Sequence, residues 1–255
     1  MSWVIHEAVT HLPEWNELKT ALDKYNQQWQ RYEMGQPIPD GDIVRCPVWD
    51  CITYNDRRGV MCDLEGLNAA NYYDKLDDFL GCDWNIVSMR EFGKNPEKWM
   101  SDRVFIKPAE FGKKGGAHVI QKKDIGFYKN KYNIPDDMMM VLASPISFQD
   151  EYRVIVNNSI GFTACKYKHG GKMDIRTMEL REESQLLEWV NSIVLPEIDI
   201  KSPAFVLDVG VIEESDRKVS DEFAVVELNS FSSSGFYKCN IDEIVEELIN
   251  ERPYI

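Results

Sequence analysis

The chain has no C-x-x-C pair, no apolar run of membrane-spanning length, no excess of positive charge and no cluster of histidines. Each gap removes a class of function. Cys46, Cys51, Cys62, Cys82, Cys165 and Cys239 fall at irregular intervals with no histidine among the first four, which argues against a structural zinc site. The lack of a bilayer-length apolar stretch argues against a spanning helix. The four histidines, His6, His11, His118 and His169, are dispersed, and neither a Ser/His/Asp nor a Cys/His set is evident. With 43 acidic against 29 basic residues, the net charge of −14 opposes general binding to nucleic acid or to an anionic membrane. The opening residues, Met1-Ser-Trp-Val-Ile-His-Glu7, show no basic segment leading into an apolar core. Reduced thiols in the cytoplasm are the resulting expectation.

What is present is a chain of 255 residues, 44% hydrophobic and 28% charged, enough for one large or two small globular units. Its most unusual stretch lies late. Ala204-Phe-Val-Leu-Asp208-Val-Gly-Val-Ile212 and Phe223-Ala-Val-Val-Glu227-Leu-Asn229-Ser230 are strand-length apolar runs with acids and an amide in their interiors. Glu227 and Asn229, two apart on a strand, share a face, and Asp208 joins them if the strands pair. Unpaired acids are rarely buried, and two carboxylates with an amide oxygen suit Mg²⁺. Local pairing of Asp208 and an edge position for Glu227 is the plainer alternative.

A second unusual run is Val104-Phe-Ile-Lys107-Pro108, where a lysine closes an apolar strand. Glycines and lysines follow at once in Gly112-Lys113-Lys114-Gly115-Gly116. Glycine admits close backbone approach and lysine supplies charge for phosphate, although the run is not a P-loop. Seven lysines stand between 107 and 131 against Glu110 and Asp124; a solvated charged face accounts for those from 122 onward. Met138–Ala143 reads as a strand entering a turn, either plain core or one wall of a flat pocket. From Glu151 to Tyr167 the pattern is a hairpin turning at Asn157-Asn158-Ser159, with Glu151 and Arg153 on one face and Lys166 on the return strand.

Elsewhere the periodicity predicts helix across residues 1–35, short strands at 43–46 and 48–54, and helix at 66–80. A strand at 84–89, a short helix at 91–99, and helices at 180–194 and 241–249 complete the expected order, which alternates as α/β segments do.

The ordered set Val104-Phe-Ile-Lys107-Pro108, a Gly/Lys loop, Glu151-x-Arg153, Lys166, Val206-Leu-Asp208-Val-Gly210 and Val226-Glu227-x-Asn229, followed by Gly235-Phe-Tyr237, resembles the ATP-grasp enzymes. It is most similar to the short clade common in bacteriophages and bacteria. The resemblance spans about residues 84–250 and implies an α+β fold in which two α+β lobes sandwich ATP. A small N-terminal α/β region is expected over residues 1–90 and the ATP-grasp domain over 91–255, its first lobe at about 104–143 and its second at about 144–250.

Residue by residue, the resemblance implies that Lys107 contacts the α/β-phosphates or adenine N7, and that Lys113 or Lys114 closes over the phosphates. Val141, Leu142, Ala143 and Ser144 would form the adenine hinge. Asp208, Glu227 and Asn229 would hold one or two Mg²⁺, while Arg153 and Lys166 would face the γ-phosphate and an acyl phosphate. Glu151 is grouped with the nucleotide-binding residues, its role open. The implied activity is an ATP- and Mg²⁺-dependent ligase joining a carboxylate to an amine, on small-molecule, peptide or protein substrates. Hydroxyl phosphorylation, or nucleotide binding without turnover, are the alternatives.

Overall fold

The computed structural model describes residues 1–99, 102–112, 115–213 and 223–250 of the chain. Three sheets organise it. The first is parallel, in order β2-β1-β3, built from β1 (Ser2–His6), β2 (Gln28–Tyr32) and β3 (Ile43–Arg45), with helix α1 (Trp15–Lys24) crossing between the first two strands. The expectation of helix across residues 1–35 holds for α1 alone. The stripe of Trp15, Leu18 and Leu22 does form a helix, but it is flanked by strands whose backbones pair with each other.

Residues 48–54 depart more sharply. Val48, Ile52 and Thr53 are β-branched and favour a strand, yet Val48–Thr53 is helix α2, entered from Pro47 in extended backbone. The expected helix at 66–80 shrinks to α3 (Ala69–Tyr72) and a 3₁₀ turn at Asp77–Phe79. The Asn68 side chain there accepts from Phe111 N at 2.9 Å, and Asn71 donates to the Glu65 carbonyl at 2.7 Å. Such side-chain bonds compete with helical continuation.

The second sheet is antiparallel, in order β4-β7-β5-β6: β4 (Trp84–Ser88), β5 (Arg103–Pro108), β6 (His118–Gln121) and β7 (Met139–Ala143). Strand β4 thus belongs to this sheet, although the boundary expected at residue 90 leaves it in the N-terminal region. Helix α4 (Met89–Lys94) follows β4 through a capping box between Ser88 and Glu91. Helix α5 (Ile125–Tyr132) ends on Asn133 in the left-handed region and packs Ile125 and Tyr128 with Phe92, Ile106 and Met140.

The third sheet is antiparallel, in order β10-β9-β8-β11-β12: β8 (Phe148–Asn157), β9 (Ile160–His169), β10 (Lys172–Thr177), β11 (Ala204–Ile212) and β12 (Phe223–Ser230). Asn158 and Ser159, both at positive φ, make the two-residue turn between β8 and β9. One face packs Val154, Val156 and Leu207 with Leu186 and Val190 of α6 (Leu180–Trp189) and the π-turn Val190–Val194 after it. The opposite face packs Ile155, Cys165 and Val206 with α1 and with α7 (Ile241–Asn250). The N-terminal region is therefore seated on the same sheet face that carries Asp208.

Candidate active site

Strands β11 and β12 pair as their sequence pattern predicts, with Asp208 opposite Glu227 and Val206 opposite Asn229. Directly opposed residues share a face, so Asp208, Glu227 and Asn229 converge. The Asn229 Nδ2 lies 3.1 Å from both Asp208 Oδ2 and Glu227 Oε1. The amide thus bridges two carboxylates where a cation would otherwise neutralise them. Amide oxygen and nitrogen are assigned from the hydrogen-bond network, so the same position can offer an oxygen. Among the described residues no group of three His, Cys, Asp or Glu is placed to hold a metal; the third member of this set is an amide.

Arg153 stands beside Asp208 on the adjoining strand β8. Its Nε and Nη2 donate to the two Asp208 oxygens at 2.9 and 2.8 Å, and its Nη1 donates to the Gly235 carbonyl at 2.9 Å. The guanidinium also lies 4.6 Å from the Tyr237 ring centre, whose ring stacks on Tyr167. Burial opposes the charge of Arg153, but Asp208 overrides it and holds the guanidinium's pKa above the ordinary value. Burial pushes the Asp208 carboxyl up against the pull of Arg153, and Glu227 and Glu151 push the same way. A bidentate arginine bond on a buried carboxylate is strong and directional, so Arg153 sets the orientation of Asp208.

Lys107 ends β5 on the opposing sheet. Its Nζ lies 4.0 Å from Glu227 Oε2 and 5.4 Å from the Tyr73 ring centre. Burial works against this ammonium, yet Tyr72, Tyr73 and Glu227 together hold it above the usual lysine range. A cavity of about 320 Å³ between the two sheets ends at this pair, and Ala143, Ser144, Glu151, Tyr167 and Lys168 also line it. A second cavity of about 250 Å³ opens on the other side of Lys107 and Glu227, towards α2, α3 and residues 108–112.

Not every expected site residue is brought here. Val141 and Leu142 are buried within β7, between β4 and β5; only Ala143 and Ser144 reach the cavity, and the Ser144 N–H is bonded to the Asp83 carbonyl at 2.9 Å. Lys113 and Lys114 lie outside the described residues. Glu151 does face the cavity, accepting from Tyr167 Oη at 2.7 Å and from Lys168 Nζ at 2.9 Å.

Lys166 faces away from the cavity. The pairing of β8 with β9 slips between Glu151 and Tyr152, so Tyr152 opposes Lys166 while Glu151 opposes Lys168. One extra residue in a strand reverses which side chains face which way. Lys166 therefore sits buried with Asp150 and beside the Tyr152 ring, whose hydroxyl is bonded to Glu182 of α6. Lys168 takes the place on the cavity face. In a regular strand Lys166 and Lys168 would share a face, and the bulge that separates them leaves no mark in the sequence.

The Ser-rich turn after β12 is fixed from the N-terminal region. Buried Arg45 donates to the Phe231 and Ser234 carbonyls, Cys46 N donates to Ser232 O at 2.8 Å, and Glu14 Oε1 accepts from Phe236 N at 3.0 Å. Burial pulls the Arg45 guanidinium down to about 10, which leaves it charged at neutral pH. Arg45, Glu14, Tyr167, Tyr237 and Lys168 carry no sign of a site role in the sequence, because their positions depend on long-range packing.

A family model described as an ATP-grasp domain, the second family of its clade, matches residues 82–246. The chain belongs to the ATP-grasp family. Its α+β sheets have the ATP-grasp fold, and the family groups it with the ATP-grasp ligase superfamily. Among solved structures, a RimK domain ATP-grasp protein from Sphaerobacter thermophilus DSM 20745 aligns with a TM-score of 0.59 at 12% identity, covering 91% of this chain and 92% of that one. D-alanine–D-alanine ligase from Bacillus anthracis gives 0.55 at 15% identity, covering 90% and 86%. Macrocyclase MdnC from Microcystis aeruginosa MRC, bound with precursor peptide MdnA, gives 0.55 at 13% identity, covering 98% and 100%. No curated protein sequence matches. Among the described residues no helix is long and apolar enough to cross a membrane.

Proposed function

We propose that this ATP-grasp protein is an ATP- and Mg²⁺-dependent ligase that joins a carboxylate to an amine through an acyl phosphate. The observation that carries the reading is the meeting of Lys107 with Glu227, Asn229 and Asp208 at the shared edge of two cavities. The cavity between the sheets has the flat apolar walls a nucleotide base needs, from Ala143 and Ile146 to Phe148, with Lys107 and Lys168 at its polar end. D-alanine–D-alanine ligase of this fold has been solved with ATP bound. We assign the nucleotide to that cavity, between a first lobe built on β5–β7 and a second on β8–β12.

Asp208, Glu227 and Asn229 would hold Mg²⁺, which when bound neutralises phosphate oxygens. Lys107 and Lys168 place fixed positive charge beside them, so charge shifting onto the leaving phosphate meets groups already oriented. Arg153 acts through Asp208, whose two oxygens it orients. In the reaction a carboxylate oxygen of the acid bonds to the γ-phosphorus as the β–γ bridging P–O bond breaks, releasing ADP. The amine nitrogen then bonds to the acyl carbon, the C–O bond to phosphate breaks, and inorganic phosphate leaves. Six cysteines, all free, suit the reducing cytoplasm in which we place this chemistry.

The test is product analysis of the full chain with Mg-ATP, candidate acids and amines. ADP, inorganic phosphate and a new amide in equal amounts are the expected result. Phosphate retained on a hydroxyl would make the protein a kinase instead.

A further inference from the structure

Lys107, Glu227 and Asn229 lie at the second cavity, and Lys107 and Glu227 also line the first, so whatever occupies the second one lies within reach of the same polar groups. Away from that end, the second cavity is apolar. Val48 from the start of α2, Leu67 and Ala69 from the entry to α3, and Ala109 and Phe111 after β5 form its walls. Leu67, Ala69 and Ala109 are buried side chains, and their segments are tied together: Ala69 N donates to Ala109 O at 2.8 Å, and Phe111 N to the Asn68 side chain at 2.9 Å. This pocket is therefore built into the backbone, not left by loosely packed loops. Its volume of about 250 Å³ equals roughly eight waters at about 30 Å³ each, the scale of one amino-acid-sized molecule.

We infer that the second cavity binds the acid substrate, and that this acid is a small monocarboxylic acid with an aliphatic or aromatic body. The assignment rests on the ligase reading above and adds the substrate class. The carboxylate points to Lys107, the single cation on the described wall, and so comes to lie against the γ-phosphate end of the neighbouring cavity. The body packs on Val48, Leu67 and Phe111. A dicarboxylic acid is disfavoured because its second charge would be buried against apolar side chains, and the other acid on the lining, Glu110, adds a like charge. Acetate is disfavoured because it leaves the walls uncovered.

The experiment has a binding arm and a turnover arm, both on the full chain. Calorimetry with Mg²⁺ and a non-hydrolysable ATP analogue titrates 4-methylpentanoate, phenylacetate, acetate and succinate. The first two should bind at least about tenfold more tightly than the others, the scale on which an apolar pocket discriminates. The turnover arm uses Mg-ATP and hydroxylamine, whose nitrogen displaces phosphate from an acyl phosphate to give a hydroxamate. The same order should appear in kcat/KM. Val48 is half-buried on an exposed helix start, so Val48→Trp narrows the pocket without opening the core. It should reverse the preference for phenylacetate over acetate.

Equal or stronger binding of succinate or acetate, or a selectivity that Val48→Trp does not move, overturns the substrate class; hydroxamate formed alongside leaves the ligase reading standing. Apolar acids that bind in the expected order but yield no hydroxamate uphold the pocket and overturn the ligase reading.

Discussion

Both faces of the five-stranded sheet bury charge beside aromatic rings, and they use it differently. On one, Arg153 and Asp208 lock each other, and Glu151 holds Lys168 at the wall of a cavity. On the other, Lys166 and Asp150 pair beside Tyr152, which is bonded to helix α6. The composition around each lysine is nearly the same: one acid and one tyrosine. What differs is the neighbour. The first set opens towards a cleft and a second sheet, whereas the second is closed by a helix. Charge on a strand becomes chemistry when the opposing layer leaves room for a ligand, and becomes structure when it does not.

This contrast can be broken experimentally. The largest effect should come from Arg153→Leu, which strands Asp208 as a buried unpaired carboxylate. Urea unfolding should show a loss of about 3–5 kcal/mol, part of which Asp208→Leu in the same chain restores. A loss below about 1 kcal/mol would mean the pair is solvated like a surface bridge. Next, Glu227→Gln should lower Mg-ATP turnover by at least about 100-fold with the fold intact by circular dichroism, the upper range for residues that only support a metal's ligands. Undiminished ADP release would move the chemistry off this face.

The direct contest is Lys168→Ala against Lys166→Met. Loss of Lys168 should cost about 100-fold in kcat/KM with little change in melting temperature. Loss of Lys166 should lower the melting temperature while turnover stays within a few-fold. The opposite pattern would reverse the assignment of faces. The smallest effects belong to the tyrosines, each losing one hydroxyl–carboxylate bond of about 1.5 kcal/mol. Tyr167→Phe should raise the KM for ATP, and Tyr152→Phe should lower only the melting temperature.

Legibility in the sequence follows the range of the interactions. Strands β11 and β12 are readable to the residue, because acids inside β-branched runs are anomalous at short range. The β8–β9 hairpin is readable from its turn residues. The N-terminal region is not. Gln28–Tyr32 is a strand of mostly polar residues, recruited by backbone pairing to β1 and not by its own pattern. Val48–Thr53 has strand propensity and is helical, a tertiary override. The orientation of Lys166 turns on one extra residue in the pairing of β8 with β9, which only the register reveals. The expected hinge starts two residues before the cavity does, since Val141 and Leu142 are as apolar as a pocket wall but are enclosed by two neighbouring strands.

The backbone bonds that tie Ala69 to Ala109 and Phe111 to Asn68 also bear on how this chain can be divided. The family match begins at residue 82, after most of the N-terminal region. A chain cut there would keep every charged residue from Lys107 to Glu227, and a sequence comparison would score it as complete. It would lack Val48, Leu67 and Ala69, leaving the second cavity without one wall, and Arg45 and Glu14 would no longer hold the Ser-rich turn. The boundary that defines the family by sequence therefore cuts through the pocket assigned to the acid substrate.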